Sequence, residues 1–132
     1  AAHSAYAPYS QFRVGAAIRL ESGRVVQGAN VEHSAFPSGI CAERTALSSA
    51  ITNFADDRPV TIAITAISDT GSVAESVTPC GNCRQVIAEE ENRWGKRIRI
   101  LLAGKNKILE IEGIDQLLPL QFNRISLRSD RP

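Results

Sequence analysis

The chain has 132 residues, 43% hydrophobic and 22% charged, which excludes a disordered or fibrous protein and fits one domain over residues 1–132. Fifteen Lys and Arg against fourteen Asp and Glu leave a net charge of +1, with no run of five like charges, so no nucleic-acid partner is expected. The longest mostly apolar stretch, residues 60–67, falls far short of the ~20 residues that cross a bilayer, and residues 1–10 show no secretory signal, so no membrane partner is expected either.

Residues 12–20 (FRVGAAIRL) and 24–31 (RVVQGANV) are β-prone and are joined by Glu21-Ser22-Gly23, which predicts a hairpin. Pro37-Ser38-Gly39 breaks the chain, and residues 40–53 then place Ile40, Ala46, Leu47, Ala50 and Ile51 at roughly helical spacing. Residues 60–68 (VTIAITAIS) are β-branched and apolar on both alternating faces, the pattern of a central strand covered by helices on both sides. After a polar loop, Thr78 as N-cap and Pro79 as first helical residue predict a helix from 79 to about 94, ended by Gly95. Residues 97–103 read as a strand, 104–107 as a turn, 108–111 as a short strand and 114–118 as a brief helix before Pro119. Residues 123–132 read as a polar tail. Strands alternating with helices predict a three-layer α/β/α domain with a mixed sheet of about five strands.

Three cysteines leave one unpaired under any disulfide scheme, and Cys80 and Cys83 stand in C-x-x-C spacing. This predicts a cytoplasmic protein with metal or redox chemistry. Cys41 begins one predicted helix and Cys80 and Cys83 open another, so three soft ligands converge at helix N-termini, whose partial positive charge favours thiolates. Three protein ligands leave tetrahedral zinc a fourth position for water, the arrangement of a catalytic site, with Glu43 the natural proton carrier beside it. A C-x-x-C pair alone also suits a redox pair or half of a closed zinc site. A closed site, however, would need His3 or His33 as the fourth ligand. One ligand, x, Glu, then P-C-x-x-C is the zinc deaminase pattern, with Cys in place of its His. Three thiolates around zinc carry a net charge of −1, which weakens the metal as a Lewis acid. Arg44, three residues beyond Cys41 on the same helical face, is placed to correct this by donating to the sulfurs.

The strings AYAPYSQFRVGAA (5–17), GANVE (28–32), CAERTAL (41–47) and PCGNCRQ (79–85) together resemble cytidine deaminase of the small homotetrameric type. The resemblance implies one zinc ion per subunit on Cys41, Cys80 and Cys83, with Glu43 as the catalytic proton shuttle. It implies Asn30 and Glu32 as the pair that holds ribose hydroxyls and Phe12 as a pocket aromatic. Phe122, after Leu117-Leu118-Pro119, is expected to reach a neighbouring subunit's pocket and stack on the base. Backbone near Ala42 and the Pro79–Cys80 turn is expected to orient the amine. The implied reaction is hydrolytic deamination of cytidine and 2′-deoxycytidine in pyrimidine salvage. The rivals are deamination of a modified aminonucleoside and a catalytically idle zinc-binding nucleoside sensor. Two features depart from the family: His33 stands where Asn is usual, with Phe36-Pro37-Ser38-Gly39 as the approach to the first ligand, and the family's first helix is expected to be truncated.

Overall fold

The computed structural model describes residues 1–68, 70–75 and 77–124. Five strands, β1 (Phe12–Leu20), β2 (Val25–Ala29), β3 (Pro59–Ser68), β4 (Arg99–Ala103) and β5 (Ile108–Glu112), form one sheet in the order β2-β1-β3-β4-β5. β1 runs antiparallel to β2 and β3, β3 and β4 are parallel, and β5 returns antiparallel to β4. Short turns join β1 to β2 and β4 to β5, whereas the parallel step from β3 to β4 requires a crossover, supplied by helix α2 (Gly81–Trp94). Helix α1 (Ala42–Asn53) connects β2 to β3. The α/β class and the mixed five-stranded sheet are those expected from the sequence.

Register determines which side chains meet the helices. Ala16 pairs with Ile64, Ile18 with Ile62, Ile62 with Ile100 and Ile64 with Leu102, so these residues share one face. Ala46, Leu47 and Ala50 of α1 and Ile87 and Ala88 of α2 join them in one buried cluster. The opposite face presents Gly15, Ala17, Ala63, Thr65 and Leu101, mostly small residues. A 3-10 turn, Ala2–Ser4, packs there against Gly15, where an added Cβ would lie 2.5 Å from the Ala2 amide nitrogen. The sequence predicts helices over both faces of β3. Among the described residues both long helices lie on one face, and this turn is the helical element on the other.

Several boundaries differ from the sequence reading. Thr78 is not the N-cap of α2 and Pro79 is not its first residue, because the helix starts at Gly81 with Cys80 in the cap position. Likewise α1 starts at Ala42 with Cys41 as its cap residue. In both cases a metal-ligand candidate takes the position where the chain turns into the helix. Gly95, at φ +67°, ends α2 by donating its N–H to the Glu91 carbonyl, the left-handed ending that glycine permits. β2 stops at Ala29, and Val31 instead bridges Tyr6 and Ile40. β4 begins at Arg99, and the brief helix after β5 is a 3-10 turn, Ile114–Gln116. Residues 125–132 of the polar tail lie outside the described residues.

Candidate metal centre and active site

The antiparallel pairing sets Phe12, at the start of β1, opposite Ser68, at the end of β3. The crossover after β3 brings the start of α2 to the same end of the sheet, and α1 starts beyond the end of β2. Carboxyl ends of strands meeting helix N-termini make the crevice in which α/β proteins bind ligands. Gly28 makes the approach of α1 possible: a Cβ there would lie 2.6 Å from the Ala46 nitrogen and 2.8 Å from the Ala42 carbonyl oxygen. Without that side chain, the first turn of α1 seats directly on β2 and places Cys41 and Glu43.

The sulfurs of Cys41 and Cys80 lie 3.7 Å apart and those of Cys80 and Cys83 3.5 Å apart, and all three fall within 4.8 Å of one another. These separations far exceed the ~2.05 Å of a disulfide, so the three thiols are free. Tetrahedral zinc with bonds of ~2.3 Å spaces two sulfurs by about 3.8 Å, which fits both pairs. Three thiol donors also suit zinc better than a hard cation.

The electrostatics ask for a cation. Burial pushes the Cys83 thiol far up, and the neighbouring Glu43 carboxylate adds to the effect. Burial also raises Cys41, opposed by a hydrogen bond from Arg44. At Cys80 burial is outweighed by the backbone N–H groups of Cys83 and Asn82 together with the neighbouring thiols, and its thiol is lowered. Two thiols that resist ionisation become thiolates readily only beside a positive ion. Arg44 Nη2 points at Cys41 Sγ from 3.9 Å, as the helical spacing predicts, and its Nε is buried without a partner among the described residues.

Glu43 is buried in the first turn of α1 and lines a cavity of about 320 Å³ together with Cys41, Cys80, Phe12, Asn30 and Glu32. Ala42, fully buried, lines it as well. Asn30 Oδ1 accepts the Val14 N–H at 2.8 Å, and its Nδ2 donates to the Phe12 carbonyl at 3.1 Å, which leaves one amide N–H to offer. Glu32 accepts the N–H groups of Tyr9 and Ser10 on Oε1 and the Ser10 hydroxyl on Oε2. These bonds, led by the Ser10 hydroxyl, hold its carboxyl below the usual range. Phe122 does not line this cavity. It is 57% exposed, and its carbonyl accepts Gln85 Nε2 at 2.6 Å. His33, the departure from the family pattern, accepts the Ala35 N–H on Nδ1 at 2.9 Å within an exposed turn.

Sequence reasoning missed Gly28, Ser10, Arg84 and Gln85. Arg84 Nε donates to the Pro79 carbonyl and Nη1 to the Leu117 carbonyl, both at 2.8 Å, which ties the thiol-bearing turn to the C-terminal segment. The string CRQ after Cys80 contained both side chains, but nothing local pointed to carbonyls 33 and 37 residues away.

A mixed α/β sheet that gathers three thiols and a buried carboxylate at two helix N-termini defines a thiolate zinc-site domain. A family model of the cytidine and deoxycytidylate deaminase zinc-binding region matches residues 1–94, and the chain belongs to that family. The cytidine deaminase of Halalkalibacterium halodurans is 45% identical over 89 residues, 67% of this chain and just under two thirds, 63%, of that protein. The cytidine deaminase of Sporosarcina psychrophila is 38% identical over 127 residues, 96% of this chain and 87% of its own. Among solved structures, the cytidine deaminase of Burkholderia pseudomallei superposes with a TM-score of 0.76 at 35% identity, covering 92% of this chain and 90% of the other. That of Mycobacterium tuberculosis superposes with a TM-score of 0.67 at 34% identity, covering 92% and 88%.

Proposed function

We propose that the chain catalyses the hydrolytic deamination of cytidine and 2′-deoxycytidine to uridine and 2′-deoxyuridine with release of ammonia, serving pyrimidine salvage in the cytoplasm. One observation carries the reading: a single cavity is lined by two thiols of the three-cysteine cluster and a buried carboxylate together with a donor–acceptor pair suited to a hydroxyl. Cys41, Cys80 and Cys83 would hold zinc, which when bound supplies a Lewis acid and lowers the pKa of water toward neutrality.

The chain's own groups do the rest. Glu43 takes one proton from the attacking water and delivers it to ring N3, which leaves C4 electrophilic, and it then moves the second proton from the hydroxyl added at C4 to the departing amino group. The C4–N4 bond breaks as the water oxygen becomes the C4 carbonyl, so water and cytidine balance as uridine and ammonia. Arg44 donates toward Cys41 Sγ and offsets the surplus thiolate charge. The remaining N–H of Asn30 and the remaining acceptor of Glu32 match a hydroxyl, which both donates and accepts, so the pair suits a sugar. Phe12, at the start of β1, gives the cavity an aromatic wall, and the Ala42 backbone borders the reacting group.

The active species is a homotetramer with shared pockets. Phe122 and Leu120 are exposed apolar residues near the end of the described chain, and Phe122 stands outside its own cavity, which supports a role against a neighbouring subunit. Zinc-loaded protein is expected to convert cytidine to uridine in an ultraviolet assay, with ammonia released in equal amount. Inactivity on cytidine and deoxycytidine together with turnover of a base-modified aminonucleoside would replace this reading. For the shared pocket, Glu43→Gln and Phe122→Ala subunits, each inactive alone, should regain activity when exchanged into mixed oligomers. No recovery after verified exchange would assign each pocket to one chain.

A further inference from the structure

We infer that Ser10 is a positioning residue for sugar recognition: its hydroxyl orients the free acceptor of Glu32 and thereby sets the preference for substrates that carry sugar hydroxyls. The inference rests on the reading of Asn30 and Glu32 as the sugar-binding pair.

Residues 7–11 form a single turn in which the Gln11 N–H donates to the Ala7 carbonyl at 3.0 Å, and Gln11 ends it at φ +58°. Such a turn leaves the N–H groups inside it without partners, as at a helix start. Glu32, 22 residues downstream of Ser10, supplies the acceptor. Its Oε1 receives Tyr9 N–H at 2.9 Å and Ser10 N–H at 3.1 Å. Its backbone is held independently, by its own N–H donating to the Tyr6 carbonyl at 2.8 Å. Two bonds to Oε1 alone would leave the carboxylate able to pivot about that oxygen.

The Ser10 hydroxyl removes that freedom by donating to Oε2. A carboxylate offers about four acceptor positions, of which three are now occupied, and the fourth lies on the oxygen that Ser10 orients. The same hydroxyl accepts the Phe12 N–H at 3.1 Å, so one oxygen joins the aromatic wall to the proposed sugar acceptor. It also favours the ionised carboxylate, which accepts without donating. A serine whose only task was to close the turn would have no need of Oε2, because the two backbone N–H groups already close it on Oε1.

The test compares kcat/KM for cytidine and for 2′,3′-dideoxycytidine, which lacks both ring hydroxyls of the sugar, in zinc-loaded wild type, Ser10→Ala, Ser10→Thr, Glu32→Gln and the Ser10→Ala/Glu32→Gln double variant. The Ser10→Ala change is expected to lower selectivity for cytidine about tenfold, mainly through KM, the scale of one weakened hydrogen bond to a charged group. Ser10→Thr, which keeps the hydroxyl, should restore most of it. Glu32→Gln should lower selectivity at least as far, and adding Ser10→Ala to it should change little more. Equal loss on both substrates in Ser10→Ala, or a full Glu32→Gln effect with selectivity intact in Ser10→Ala, would reduce Ser10 to a turn residue. Unaltered selectivity in Glu32→Gln would overturn the sugar-pair reading itself, and the role of Ser10 with it.

Discussion

Arg84 holds the Leu117 carbonyl through Nη1 and the Pro79 carbonyl through Nε, each at 2.8 Å. One side chain therefore fixes the turn that presents Cys80 relative to the segment that leads to Phe122, and its neighbour Gln85 continues the tie at the Phe122 carbonyl. Arg84→Gln cannot span both carbonyls. Half-buried acceptors that lose a charged donor cost about 1–3 kcal/mol each, so a loss of about 2 kcal/mol is expected in urea unfolding of zinc-loaded protein. Zinc should also dissociate faster to a chelator. An unchanged midpoint and chelation rate would mean that the turn is held without Arg84.

Glu43 and Cys80 should separate proton transfer from metal binding. Glu43→Gln leaves all three thiols in place, so bound zinc should remain near one per chain while cytidine turnover falls about 10²–10⁴-fold, the usual contribution of a positioned acid or base. Cys80→Ala should lose zinc, activity and stability together, because two thiols no longer close the site. Elemental analysis beside the rate assay checks both. Retained turnover in Glu43→Gln would move the proton shuttle elsewhere.

Gly28→Ala should be disproportionately harmful for the addition of one methyl group. Its Cβ would stand 2.6 Å from a backbone nitrogen and 2.8 Å from a backbone oxygen of α1, neither of which can rotate aside. The helix must shift, and it carries Glu43 and follows Cys41. A destabilisation of about 2–3 kcal/mol is expected, with weakened zinc binding, whereas Gly81→Ala, where a Cβ meets nothing within 4 Å, should be nearly silent. Thermal melts of the two variants decide the point.

Glu91 should make stability depend on pH. Its Oε2 accepts the N–H groups of Ile98 and Ile114 at 2.8 and 3.0 Å, so it clasps the end of α2 to the residue just before β4 and to the turn after β5. Burial nevertheless raises its carboxyl above the usual range, with Asp115 adding and Arg97 and the two N–H bonds opposing. A raised carboxyl binds its proton more tightly in the folded chain, so its contribution is fully present below the unfolded pKa of ~4.3 and is lost as pH rises through the folded value. Glu91→Gln keeps an acceptor oxygen without the charge. Relative to wild type it should therefore gain stability as pH rises from about 4.5 toward 7. Glu91→Ala abandons both N–H groups and should lose about 2 kcal/mol at low pH, with the deficit narrowing as pH rises. Urea midpoints measured at several pH values check the sign, and a difference that runs the other way would show that the charge strengthens the clasp.

The sequence by itself determined the three-cysteine cluster and the order of elements. Cys80 and Cys83 meet because cap and third helical positions are neighbours on any helix, Arg44 reaches Cys41 for the same reason, and β-branched alternation marked β3. These are consequences of local geometry, legible over three or four residues. Tertiary structure alone decided that Glu32 would answer Ser10, that Arg84 would bind Leu117, and that Gly28 would be the place where α1 touches the sheet. It also decided that Cys80, not Thr78, takes the cap of α2. Such pairings depend on the register of β1 against β2 and on where the crossover lands a helix. Side chains that are far apart in the chain acquire partners only after those long-range placements exist.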